Sequence, residues 1–131
     1  MIYVTGDTMV LMANGLEKRV DELQFGDMVY TDHGPMRVQD VMTGYEAEIA
    51  EIVFADGKAL QAAPDQNLLT DRGDCSVRKL SNVDHVMVGN DGLEVKSIVI
   101  KQFGGSVYGI MLDQDAELIY NGVRLNNQRG Y

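Results

Sequence analysis

The chain has 131 residues, 45% of them hydrophobic, and a formal net charge of −9. That length is one ordinary domain, residues 1–131, able to bury roughly two thirds of its unfolded surface without a staple. The acidic balance argues against a nucleic acid or an anionic membrane as partner, since both favour a basic stripe. Along the chain, short strands alternate with turns. Met9-Val10-Leu11-Met12 closes at Asn14-Gly15, a type I′ hairpin signal. Residues 16–25 are the one stretch suited to a helical turn, with Val20 and Leu23 at i, i+3. Met28-Val29-Tyr30-Thr31 follows Gly26-Asp27 and ends at Asp32-His33-Gly34-Pro35. Strands are expected over residues 36–42 and 47–54, the second turning at Asp56-Gly57 into Ala59-Leu60-Gln61-Ala62. Further strands follow at Val86-Met87-Val88, at residues 95–100, at residues 107–112 after Gly104-Gly105, at Leu118-Ile119-Tyr120, and at Val123-Arg124-Leu125. Turn signals every eight to twelve residues are the rhythm of an all-β domain. Pro35 and Pro64 fall at strand boundaries, where a missing N–H does no harm.

A faint internal repeat runs through this pattern. A shift of 57 residues carries Leu23 onto Leu80, Asp27 onto Asp84, Val29 onto Val86, Val38 onto Val95 and Val41 onto Ile98. A duplicated β unit with pseudo-two-fold symmetry would produce it.

Five segments carry a more specific signal. Near its start the chain reads Tyr3-Val4-Thr5-Gly6-Asp7-Thr8-Met9-Val10 and near its end Tyr120-Asn121-Gly122-Val123-Arg124-Leu125-Asn126-Asn127. Between them lie Leu23-Gln24-Phe25-Gly26-Asp27-Met28-Val29, the turn Phe54-Ala55-Asp56-Gly57, and Arg78-Lys79-Leu80 ahead of Asp84-His85-Val86. In this order they resemble the Hint family, the fold shared by inteins and hedgehog autoprocessing domains. The resemblance covers nearly the whole chain. It implies a horseshoe-like all-β domain with internal duplication and adjacent termini, without the homing endonuclease that some inteins carry.

The resemblance also implies where the chemistry of protein splicing would sit. A Cys or Ser five residues before Thr8 would attack the preceding carbonyl; that slot holds Tyr3. A phenol is too weak and too rigid a nucleophile for the acyl shift. Tyr3 reads instead as an aromatic plugging a vacated cleft. A Thr-x-x-His pair would polarise the scissile amide and protonate its departing nitrogen. Ala63 and Gln66 occupy those positions, and Gln66 can hydrogen-bond but cannot exchange a proton near neutral pH. Asp65 survives between them as a turn residue that could still orient the loop. Ala116 stands in the slot of a later His, beside Asp113 and Asp115. The C-terminal His-Asn step reads Asn126-Asn127, followed by Gln128 in place of a second nucleophile. Asn127 alone keeps a group able to react, by closing a succinimide that would release the segment from Gln128 onward.

His33 and His85 are the only histidines and Cys75 the only thiol, and nothing in their spacing makes a zinc site. No cofactor is expected. Gly6-Asp7-Thr8 lacks the pattern of a phosphate loop. One cysteine excludes an internal disulfide. No apolar run nears the ~20 residues of a membrane span, and no basic-then-apolar leader follows Met1, so the expected compartment is cytoplasmic. Three functions emerge. One is a splicing-inactive intein-like domain, kept as a structural or interaction module whose partners are the host-protein segments flanking it. The second is residual autoproteolysis at Asn127. The third is a binding module using a pocket between Tyr3, Gln66 and Asn127.

Overall fold

The computed structural model describes residues 1–128. Arg129, Gly130 and Tyr131, most of the segment that cleavage after Asn127 would release, lie outside the described residues. The strands are β1 (Val4–Thr5), β2 (Met9–Leu11), β3 (Glu17–Arg19), β4 (Met28–Val29), β5 (Met36–Arg37), β6 (Asp40–Phe54), β7 (Ala59–Ala62), β8 (Asn67–Thr70), β9 (Gly73–Ser76), β10 (His85–Val88), β11 (Asp91–Met111), β12 (Ala116–Tyr120) and β13 (Val123–Asn127). Single 3-10 turns occur at Val20–Glu22 and Val77–Lys79, and no α-helix is present among the described residues. The fold class is all-β, as the turn rhythm predicts.

The strands form a seven-stranded sheet in the order β1-β7-β6-β11-β10-β8-β9, a four-stranded sheet β13-β12-β2-β3, and the ladder β4-β5. The backbone of the molecule is the β6–β11 ribbon, whose register runs from Val95 opposite Phe54 to Met111 opposite Asp40. Two-residue alternation turns Leu118 and Tyr120 of β12, and Val123, Leu125 and Asn127 of β13, to the inside. There they meet Val10, Ile52, Leu60 and Ile110, all buried. β1 pairs with β7 and with β11 at once, Val4 facing both Ala62 and Tyr108. This places the start of the chain between the two halves.

The repeat is visible in hydrogen bonds. The carboxylate of Asp27 accepts from the Gln24 N–H at 2.9 Å, and that of Asp84 accepts from the Ser81 N–H at 2.9 Å. The Val38 N–H donates to the Asp27 carbonyl, and the Val95 N–H to that of Asp84. Each 3-10 turn precedes its aspartate by the same interval. These are the same capped turn built twice, each swinging the chain into the next strand.

Several sequence expectations need correction. Positive φ at both central residues, the mark of a type I′ turn, occurs at Asn121-Gly122 and not at Asn14-Gly15, where only Gly15 adopts it. The Gly15 N–H instead donates to the Met12 carbonyl and the Met12 N–H to the Leu16 carbonyl, a three-residue loop of the same pattern as Phe54 to Lys58. Residues 16–25 hold β3 before the 3-10 turn, because pairing with β2 outweighs weak helical periodicity. Residues 36–42 split between β5 and β6. Residues 95–100 and 107–112, expected as two strands, fall in β11 up to Met111, and β11 passes Gly104-Gly105 with a register shift rather than a turn. β8 and β9 were not expected: adjacent Leu68 and Leu69 mask the alternation of β8 in the sequence, and β9 is Gly73-Asp74-Cys75-Ser76, with little apolar signal.

Candidate functional site

The beginning and end of the described chain meet. The Met1 nitrogen donates to the Gln128 carbonyl at 2.7 Å, and the Ile2 N–H donates to Asn127 Oδ1 at 3.2 Å. The slot residues of the N-terminal half converge on the same point. Gln66 Oε1 accepts from the Tyr3 N–H at 2.9 Å, and Gln66 Nε2 donates to the Tyr3 carbonyl at 2.8 Å. The Ala63 N–H donates to that carbonyl at 3.0 Å. The carboxamide thus takes both backbone groups of Tyr3, as a neighbouring strand would. The nitrogen it holds belongs to the peptide bond that the resemblance marks as the first scissile bond. An amide oxygen can accept there but has no proton to give.

The Tyr3 ring lies over Gly109 of β11. A Cβ on Gly109 would come within 3.2 Å of two of its ring carbons. The Tyr3 ring is therefore seated where a side chain on residue 109 would press on it by a few tenths of an ångström. Thr5 and Thr8, the hydroxyls that follow Tyr3 in the chain, point elsewhere: Thr5 Oγ1 donates to Asp7 at 2.7 Å and lies 3.4 Å from Thr8 Oγ1.

Asn127 is almost wholly buried, at 1% exposure. Its Nδ2 donates to the Ile110 carbonyl at 3.0 Å, and its Oδ1 also accepts from the Tyr120 hydroxyl at 3.2 Å. Burial raises the Tyr120 phenol well above its ordinary pKa, so it stays a neutral donor. Ala116, the later His slot, sits opposite Asn127 in the β12–β13 hairpin. It is buried and offers no polar atom beyond its backbone. Asn126, in the penultimate His slot, faces the other way and donates to the Met87 carbonyl at 3.2 Å. Asp65 is exposed and ion-paired with Arg78, which also holds Glu48. That hydrogen bond from Arg78 keeps the Asp65 carboxyl below the usual carboxylate range. Asp113 and Asp115 are both exposed, with Asp115 attracting the Met1 nitrogen.

A cleft of about 720 Å³ opens over this junction, lined by Tyr3, Gln66, Asn126 and Gln128 among others. The pocket expected between Tyr3, Gln66 and Asn127 exists with one change: Asn127 lies behind the wall and Asn126 lines it, because β13 alternates. Neither histidine nor Cys75 reaches the cleft. Among the described residues no three His, Cys, Asp or Glu side chains converge on a metal position. Sequence reasoning missed Gly109, Tyr120 and the Ile110 carbonyl. Tyr120 was accessible from the inward alternation of β12, but the other two depend on the tertiary approach of β11.

The whole architecture has counterparts among solved structures. The gp41-1 intein superposes with a TM-score of 0.78 at 17% identity, over 95% of this chain and 98% of that one. The M86 variant of the Ssp DnaB mini-intein gives 0.79 at 12% identity, over 99% and 96%. The bacterial intein-like domain from Clostridium thermocellum gives 0.77 at 16%, over 98% and 99%. No family model matches the chain, and no curated protein matches it in sequence. The chain therefore has the Hint fold of intein splicing domains, over nearly its full length. No helix among the described residues is long and apolar enough to cross a membrane.

Proposed function

We propose that this is a degenerate intein-like domain, splicing-inactive, that residues 1–131 form as one inserted unit of a larger cytoplasmic protein, where it serves as a structural or interaction module. Its nearest partners are the host segments that continue from each end. The observation that carries the reading is the Gln66 carboxamide paired with both backbone groups of Tyr3. The position at the scissile nitrogen holds its amide firmly and supplies no proton. A phenol stands where a thiol or alkoxide must attack, and Ala116 and Asn126 bring no imidazole to the other junction. Each missing group is worth on the order of a hundredfold in rate, so their joint absence leaves little above background.

The alternative of residual autoproteolysis at Asn127 is disfavoured by the same geometry. Cyclisation needs Nδ2 to approach the main-chain carbonyl carbon of Asn127, and here it donates to Ile110. Adjacent ends suit insertion into a host loop. The test places residues 1–131 in an exposed loop of a reporter enzyme. An uncut fusion of full mass with reporter activity retained is the expected result. Excised domain, ligated reporter or free flanks would overturn the proposal.

A further inference from the structure

The cleft over the junction has a wall that the splicing chemistry does not explain. Residues 43–46 of β6 line it. On one side they pair with β11, from Thr43 opposite Tyr108 to Glu46 opposite Gly105. On the other side β7 reaches β6 only at residues 50–53, so no described strand covers the edge at 43–46. An uncovered strand edge presents a row of main-chain donors and acceptors, and an extended peptide can add to it as a further strand. Residues 43–46 carry no lysine and no proline; the guards present are the charge of Glu46 and the register shift of β11 opposite Glu46 to Glu48, which leave Thr43 to Tyr45 open among the described strands.

The charge of the cleft restricts what would add. Glu46 and Asp74 line it and have no ion-pair or hydrogen-bond partner among the described residues, whereas Asp65 is held by Arg78. No lysine or arginine side chain lines it. Its floor is apolar, with Leu68, Val86, Val107 and Leu125, and half-exposed Leu69 stands at the rim. A long aliphatic stem can lie on such a floor while its cationic end reaches a carboxylate.

We infer that the cleft binds, in trans, an extended peptide that adds a strand to the free edge of β6 and carries a lysine or arginine toward Glu46 and Asp74. This rests on the reading of the domain as an interaction module with an unreacting junction.

The test uses fluorescent, end-capped peptides of alternating serine and valine with one central lysine, arginine, alanine or glutamate, and the whole domain. Fluorescence polarisation should show the lysine and arginine peptides binding about tenfold or more tighter than the alanine peptide, and the glutamate peptide more weakly still. The Glu46→Gln/Asp74→Asn double variant should lose this discrimination with an unchanged melting curve. N-methylation of the peptide backbone should abolish binding, and n-butylammonium should not compete at matched concentration. Absence of binding, equal binding of all four peptides, discrimination retained in the double variant, tolerance of N-methylation, or competition by the free amine would each overturn the inference. Intact mass of the same sample separates the two proposals. An uncut protein that ignores the peptides overturns only this one, while a cleaved protein overturns the reading beneath it.

Discussion

At the scale of single residues, what decides behaviour here is hydrogen-bond capacity rather than nucleophilicity. Asn127 could have been the last reactive group, yet both ends of its amide are engaged inside the core by Ile2, Tyr120 and Ile110. Replacing it should therefore act on folding. Asn127→Ala strips three buried bonds and leaves their partners unmet, and should cost about 3 kcal/mol in urea unfolding. A loss below about 0.5 kcal/mol would show that the amide is held only loosely. Tyr3 and Gly109 make a second residue-scale case, since a Cβ on residue 109 would press on the ring. Gly109→Ala should destabilise the parent by about 1–3 kcal/mol and do so much less in a Tyr3→Cys background, a coupling that a double-mutant cycle measures. The residue types were legible in the sequence, where the resemblance to the Hint family implies that Tyr3, Ala63, Gln66, Ala116 and Asn126 each stand in place of a reactive group. Their contacts were not legible, because Gly109 lies about a hundred residues from Tyr3 along the chain, and Ile110, though only 17 residues from Asn127, reaches it through the tertiary approach of β11.

At the scale of elements, the two capped turns are the repeated part. Against burial, the Ser81 N–H and Arg72 hold the Asp84 carboxyl below its ordinary pKa. The Gln24 N–H, aided by Lys18, does the same for Asp27, also against burial. A carboxyl with a depressed folded-state pKa contributes stability that is present above the unfolded value of 3.8 and lost as pH falls through the folded value. The melting temperature should thus decline as pH drops below about 4. In Asp27→Asn and Asp84→Asn variants that decline should be shallower, with lower stability at neutral pH. Parallel melting curves for parent and variants across pH 2–5 would contradict the assignment. The elements show why sequence reading succeeded unevenly. β7 was read to the residue because its alternation and flanking turns agree. β8 was missed because Leu68 and Leu69 stand side by side and mask an alternation that buries Leu68 and Thr70, and β9 because its residues are held by ladder pairing and none of them is fully buried. Asn14-Gly15 has the composition of a primed turn, but its loop is one residue longer than that turn allows.

At the scale of the whole molecule, duplication and adjacent ends belong to one design. Two copies of a capped β unit exchange strands around the β6–β11 ribbon, and the first and last described residues are joined by hydrogen bonds. The all-β class was readable from the rhythm of turns, and the closeness of the ends from the resemblance to the Hint family. The cleft wall made by residues 43–46 was not, since an uncovered edge is defined by a strand that stops short elsewhere. In this account the fold shields its own junctions. The rate of chain cleavage after Asn127, followed by intact mass at pH 7 with flanking sequence attached, tests that most directly. The folded domain should cleave no faster than the same chain held unfolded in urea. Faster cleavage in the folded state would mean that the site still works on its own backbone, and would contradict the account.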